Sequence, residues 1–398
     1  MDNINSVLEQ KMCCGCGACY SACPTKCIDF IEGKYVNYPT IDEERCIECG
    51  ICKSICPGQM NINRLIDGKK VNLHNNISSI KVSYSNNDKI RVNSASGGII
   101  SELIVHLLET KQVDCGVVVT QSKNNPLLNE VAIIKESKDI HFSQGSRYSP
   151  ASNCSILREI INKNEYKKVI FIGKPCDIEA LSAYENINKK LKEKIYIKLS
   201  IMCHHSPTRK GLMDLLTAKN INPENVNKIN FRGDGWPGSF KVVTNSNEVI
   251  KMDYYEAWGD YLSQDENVKC MYCENPFPLE ADLIVGDPWG EEYKEDKKGQ
   301  SLVLIRNKLV EGIMSELEEK QKIVSTIVSY EDVKRYQKNL LKRYNEFNLN
   351  RVLFKRVHGY KITFKDIKNI YKENPKNLLR YIKRISEYNK IFNEWKYE

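Results

Sequence analysis

Residues 13–27 read CCGCGACYSACPTKC and residues 46–57 read CIECGICKSICP. Together these stretches hold ten of the sixteen cysteines in the chain. Cys13, Cys16, Cys19 and Cys23 followed by Pro24 spell C-x2-C-x2-C-x3-C-P, and Cys46, Cys49, Cys52 and Cys56 followed by Pro57 spell it again.

This doubled pattern is the bacterial two-cluster ferredoxin signature. Three thiolates at two-residue gaps curl the backbone around one 4Fe-4S cubane, while the fourth reaches the other. Cys13, Cys16, Cys19 and Cys56 are therefore assigned to one cluster, and Cys46, Cys49, Cys52 and Cys23 to the second. Gly15, Gly17 and Gly50 let amides crowd the sulfides without a Cβ in the way. Two zinc sites or a disulfide knot are the alternatives, but zinc ribbons close one tetrahedron from paired CxxC arms and suit this grammar poorly. Cys14 and Cys27 fall outside it and read as packing residues.

Working outward, the 398 residues predict two or three domains, and an apolar share of 41 % is enough for ordinary cores. No apolar run approaches the roughly twenty residues that span a bilayer. The start, MDNINSVLEQK, has no apolar stretch after basic residues, so no secretory signal is expected and the cytoplasm is the expected location. Unpaired cysteines in this number also call for a reducing compartment.

The formal net charge of +8 is unevenly placed. From Glu331 to Glu398 there are 18 Lys and Arg against 8 Asp and Glu. A solvated helical surface, nucleic acid, anionic lipid and an acidic protein partner compete for this tail. No aromatic and basic pattern of a nucleic-acid module is present. Ferredoxins are generally acidic, so steering of such a carrier is the preferred functional reading.

Between module and tail the pattern is α/β. A polar, Asn-rich stretch after Pro57 reads as a linker up to about Ser79, with domain limits placed at 1–62, 63–79, 80–330 and 331–398. Strands are expected at 80–85, 114–120, 131–135, 169–173, 195–202, 282–287, 302–306 and 323–329. Helices are expected after Gly98, over 151–163, from about Asp177, from about Pro207 and over 309–320. Residues 226–252 read as antiparallel strands, and the tail as amphipathic helices broken near Gly359 and Pro375. Ser96, Gly97 and Gly98 precede a helix start, which suits an anion or simply an N-cap. Cys176 and Cys203 end strands, where sites of α/β cores gather. With Cys270 and Cys273 they leave three options open: a zinc site, a redox disulfide at the CxxC, or unrelated buried thiols.

In order, Ser96 to Gly98, Phe171 to Cys176 (FIGKPC) with Ala180 and Leu181, Cys203 and His204, Phe231 and Arg232 with Gly235 and Trp236, Cys270 and Cys273, and Asp282 to Gly290 (DLIVGDPWG) form a series. It resembles the family of coenzyme F420 hydrogenase/dehydrogenase beta subunits, in the subgroup with an N-terminal dicluster ferredoxin domain. The resemblance covers about residues 10–355 and implies an α+β ferredoxin-like module fused to a mixed α/β flavin-binding domain, followed by the helical tail. It further implies FAD and a third 4Fe-4S cluster, with Cys176, Cys203, Cys270 and Cys273 as ligands. Ser96, Gly97, Gly98, Lys174 and Pro175 become flavin neighbours, joined by Ser146, Arg147 and Tyr148. Lys174 stands where the family has a small residue and Asp177 where it has glutamine, so the substrate is expected to differ.

The expected activity is an oxidoreductase that passes electrons from ferredoxin or a similar acidic carrier through the clusters to FAD and a substrate. Lys174 and His204, or His205 beside it, are the candidates for anion binding and proton transfer. Relatives act on coenzyme F420, one plant branch on a chlorophyll intermediate, and many bacterial relatives accompany polysaccharide-synthesis genes. The alternative is a non-catalytic electron-transfer protein that hands electrons to a partner enzyme.

Overall fold

The computed structural model describes residues 3–398. Short β-branched runs form its strands. β1 (Ile28–Glu32) and β2 (Asn37–Ile41) make a hairpin within the cysteine-rich module. β3 (Ser79–Ser85), β4 (Cys115–Gln121), β5 (Asn129–Ile134), β6 (Val169–Gly173) and β7 (Ile195–Ile201) follow. Then come β8 (Val226–Asn230), β9 (Ser239–Thr244), β10 (Val249–Asp253), β11 (Leu283–Gly286), β12 (Ser301–Ile305) and β13 (Ile323–Ile327).

Eight of these build one mixed sheet in the order β13-β3-β12-β11-β7-β6-β4-β5. Its middle is parallel, β11-β7-β6-β4, and antiparallel strands flank it on both sides. Helices cover both faces, so the central strands are apolar throughout instead of alternating; SLVLI in β12 is buried at every position. One face packs Leu103, Leu107, Ile313 and Leu317 from helices Ile99–Glu109 and Lys308–Glu319. The other packs Leu157, Ile178 and Leu181, the latter two from helix Pro175–Ile187. β8, β9 and β10 form a separate antiparallel sheet against helix Arg209–Ala218.

Two expectations change. The stretch read as a linker opens with helix Pro57–Asp67, which buries Ile62 and Leu65 and ends on Gly68. Its asparagines disguise it: Asn61 is fully buried and donates to Glu274 (2.6 Å). The helix expected over 151–163 shrinks to a 3-10 turn, Asn153–Ile156, and a helix, Leu157–Asn162. Its first residues are held instead by the cysteine-rich module, with Cys154 N donating to Cys16 O (2.8 Å) and Asn37 Nδ2 to Ser152 Oγ (2.7 Å).

The basic tail is helical and breaks after Val357 and at Asn374 as its Gly and Pro dictate. It is not an appendage. Phe347, Leu349, Leu353 and Phe354 share one core with Val7, Met12, Ile62 and Leu65 of the module. Much of its charge is also matched internally, since Arg351 and Lys355 pair with Asp366, and Arg380 and Arg384 with Glu346.

Candidate functional site

The cysteine-rich module docks on the carboxyl ends of the parallel strands through buried polar bonds. Ser21 Oγ donates to Cys154 O (2.7 Å), Asn267 Nδ2 donates to Cys13 O (3.0 Å), and Arg64 pairs with Glu179 (3.0 Å) and Glu274. Gly17 is required at this seam: its φ is +83°, and a Cβ there would lie 2.9 Å from Ser155 N.

All sixteen cysteines are free thiols, so no disulfide knot forms. The chain brings Cys13, Cys16, Cys19 and Cys56 together in the interior, where each thiol feels its neighbours. Burial and the nearby Cys56 push the Cys13 thiol up to about 12, and Cys19 is raised by burial, Cys13 and Cys56. Cys23, Cys46, Cys49 and Cys52 line a single cavity with Cys27, Pro24, Ile41 and Ile47. This second set is nearer the surface, with Cys49 exposed. Cys27 Sγ lies 3.4 Å from Cys23 Sγ, so its place is on the cavity wall.

The four remaining candidates converge too. Burial raises the Cys203 thiol well above its ordinary range, helped by Cys270, Cys176 and Cys273 beside it. This third set abuts the first: Cys13 and Cys56 both feel Cys176, and Cys14 contacts Cys16 on one side and Cys176 on the other. Crowded, buried thiols resist ionisation unless a cation replaces their protons, which is the chemistry a 4Fe-4S cluster brings. Four thiols in each of the three sets match the ligand type and number that a 4Fe-4S cluster takes.

Lys174 caps the helix that carries Cys176. Its ammonium pairs with Asp177 (3.0 Å) and donates to Ala151 O (3.3 Å), so the two residues that depart from the family pattern neutralise each other. His204 and His205 follow Cys203 with their Nδ1 atoms 2.7 Å apart. Desolvation in this turn, with Arg343 close by, lowers His204 to about 4 and His205 to about 3. Both rings are neutral at pH 7, and one Nδ1 donates to the other. Arg343, from the tail, donates to Cys270 O (2.8 Å) and pairs with Glu266 (2.6 Å), strapping the Cys270 loop in place.

Ser96 and Gly97 are engaged by β12: Ser96 Oγ lies 2.8 Å from Ser301 Oγ, and Gly97 N donates to the same hydroxyl (2.9 Å). Gly98 caps the next helix at φ +79°, but Glu102 already sets a buried carboxylate in its first turn. That carboxylate opposes a second anion at this end. Arg147 is different. It donates to Ile229 O (3.2 Å), has no carboxylate partner among the described residues, and burial lowers it to about 10. Pro175 begins the Cys176 helix, and Ser146 precedes Arg147 on the segment whose Gly145 passes close to the Arg232 carbonyl.

Sequence reasoning assigned no role to the group beside Tyr148. Arg232, 3 % exposed, is clamped by Asp287 (2.9 and 3.0 Å), and Trp236 Nε1 donates to the same carboxylate (2.6 Å). An aromatic band surrounds the pair, running His205, Trp258, Tyr254, Trp289, Trp236 at centroid spacings of 5.2, 6.5, 5.7 and 5.2 Å. Tyr148 joins at Trp258 (4.5 Å). Trp258 lies on a π-helical turn, Ala257–Leu262, which no sequence periodicity reveals. The motif residues Arg232, Trp236 and Asp287 were the available signal.

Two family models for coenzyme F420 hydrogenase/dehydrogenase beta subunits match here, the N-terminal part over residues 81–158 and the C-terminal part over 166–329. A 4Fe-4S dicluster domain matches residues 6–63. The chain is 22 % identical over 306 residues to a component of the F(420)H(2) dehydrogenase of Methanosarcina mazei, covering 75 % of this chain and 83 % of that one. It is 24 % identical over 350 residues to an uncharacterized protein of Methanocaldococcus jannaschii, covering 82 % and 91 %. The beta chain of coenzyme F420 hydrogenase from Methanococcus voltae is 23 % identical over 235 residues, covering 54 % and 75 %. In fold, a chain of the F420-reducing [NiFe] hydrogenase complex from Methanosarcina barkeri matches with a TM-score of 0.55 at 19 % identity, covering 70 % of this chain and 94 % of that one. Over the sheet and the segments that carry Cys176, Cys203, Cys270 and Cys273, and with an iron–sulfur dicluster domain ahead of them, the chain belongs to the family of coenzyme F420 hydrogenase/dehydrogenase beta subunits.

Proposed function

We propose that the protein is an iron–sulfur flavoprotein oxidoreductase in which three 4Fe-4S clusters and one FAD connect a ferredoxin-type carrier to a substrate. The observation that carries this reading is the contiguity of two cysteine sets across the seam, Cys13 and Cys56 beside Cys176 with Cys14 between. When bound, the clusters supply one-electron relay, and the flavin gathers two electrons for delivery as a pair.

The chain's own residues divide the work. Cys23, Cys46, Cys49 and Cys52 hold the exposed entry end, the first set the middle, and Cys176, Cys203, Cys270 and Cys273 the inner end. Arg147 is the cation left for a flavin phosphate or a substrate anion, with Ser96, Gly97, Gly98, Ser146, Tyr148, Lys174 and Pro175 as the neighbours the family implies. The Arg232–Asp287 pair and its aromatic band shape the inner site and exclude water. His204, beside Cys203, is the candidate for proton transfer at the inner end. Coenzyme F420 enters as the candidate acceptor through the names of the relatives. A polysaccharide-linked substrate and a cytoplasmic setting belong to the same proposal; among the described residues no helix is long and apolar enough to cross a membrane.

A second reading, an electron-transfer component that serves a partner enzyme, is favoured by the relatives named as parts of larger enzymes. Anaerobic mixing with reduced ferredoxin and coenzyme F420 separates the two. An enzyme bleaches its flavin and turns F420 over alone, whereas an electron-transfer component bleaches its flavin and turns over only with its partner. A flavin that ferredoxin leaves oxidised contradicts both.

A further inference from the structure

Lys269 is an unusual buried cation. It sits on the short helix Val268–Met271, immediately before Cys270, and is 2 % exposed. Other buried lysines in the chain meet oxygen: Lys81 meets Glu318 at 2.7 Å, Lys194 meets Ile160 O at 2.7 Å, and Lys355 meets Asp366 at 3.1 Å. The hydrogen-bond partner of Lys269 Nζ is a sulfur, Cys273 Sγ, at 3.8 Å.

The carboxylates within reach are already engaged. Glu179 and Glu274 are held by Arg64, and Glu274 also by Asn61 at 2.6 Å. What faces the ammonium is thiol: Cys273, Cys176 and Cys14, with Cys56 on the side of the first set. An ammonium removed from water is unstable unless opposite charge compensates it. Here Cys273, Cys176 and Cys14 supply the larger part of that compensation and Glu179 a smaller one.

We propose that Lys269 is a fixed counter-charge between the first and third cysteine sets, one that favours the reduced, more negative state of the cluster held by Cys176, Cys203, Cys270 and Cys273. The inference rests on the third-cluster reading above. Each electron added to a cluster adds one negative charge, and a cation held in a water-poor interior acts on it with little screening. The protein thereby sets the downhill direction from the exposed cavity toward the inner site by charge placement, one of the means by which reduction potentials are set.

The test is an anaerobic redox titration followed by electron paramagnetic resonance on wild type, Lys269→Met and Lys269→Arg, with iron counted in each. At a fixed ambient potential, Lys269→Met lowers the reduced-to-oxidised ratio of the third cluster at least tenfold, a fall of about 59 mV for a one-electron couple. Lys269→Arg keeps the wild-type ratio. Loss of about four irons from the Met variant but not the Arg variant also supports a charge requirement. An unmoved ratio in an intact Met variant, or equal losses in both variants, overturns the proposal. Failure of the underlying reading looks different: wild type itself then holds about eight irons, and Cys176→Ala changes nothing.

Discussion

Replacing Asp287 with alanine removes the carboxylate that Arg232 donates to twice, at 2.9 and 3.0 Å, and Trp236 once, at 2.6 Å. Burial works against the guanidinium charge and Asp287 more than offsets it, which is why the pair survives at 3 % exposure. With the partner gone the arginine remains, still close to the Tyr254 ring (4.6 Å) and the Pro237 carbonyl (2.8 Å) but with no counter-charge. Leaving one member of a buried pair alone costs about 3–5 kcal/mol. Divided by a urea slope of about 3 kcal/mol/M, that is a midpoint shift of about 1–2 M. Tryptophan fluorescence is the natural assay, because Trp236, Trp258 and Trp289 lie in this band and the chain holds only one other. The double variant Arg232→Met, Asp287→Leu recovers most of the loss, since an apolar pair of similar volume replaces buried ions at little cost. A loss below about 1 kcal/mol for Asp287→Ala, the scale of an exposed pair, refutes the claim that this lock organises the site.

Two further outcomes follow from other charges. Asp366, between Arg351 and Lys355, is held at about 2 against an ordinary 3.8; burial opposes ionisation, and the Thr363 amide and the two cations outweigh it. Its stabilising contribution is present above about pH 4 and disappears as pH falls toward 2. Asp366→Asn therefore lowers stability at neutral pH and flattens the acid limb of a denaturation profile. At the exposed end, Asp42, Glu43, Glu44 and Glu48 flank Cys46 and Cys49, opposed locally by Arg45. This acidic rim disfavours an acidic carrier there, so Glu43→Gln, Glu44→Gln and Glu48→Gln together speed its reduction of the protein at low salt. The gain fades as the Debye length shortens to about 8 Å near physiological ionic strength, and stopped-flow rates across a salt series read it.

The strands were legible because a sheet covered on both faces needs unbroken apolar runs, and VIFIG and SLVLI supply them. The ligand grammar was legible because a cubane dictates local spacing. What lay hidden depends on partners distant in sequence. Asn61 looks like linker until Glu274 meets it, and the 151–163 helix is shortened because Cys16 and Asn37 take its first residues. The tail reads as a solvated basic surface or a docking site for an acidic carrier because sequence cannot show that Arg343 straps Cys270 or that Phe354 lies in the core of the module. Lys174 looked like a free cation beside the site, and its neutralisation needed only the turn that brings Asp177 back to it.

The central claim is that Cys176, Cys203, Cys270 and Cys273 hold a third cluster wired to a flavin. Iron and flavin content after anaerobic purification tests it most directly. About twelve irons and one FAD per chain are expected, with about four irons lost in Cys176→Ala. About eight irons, no flavin and no change in Cys176→Ala contradict it.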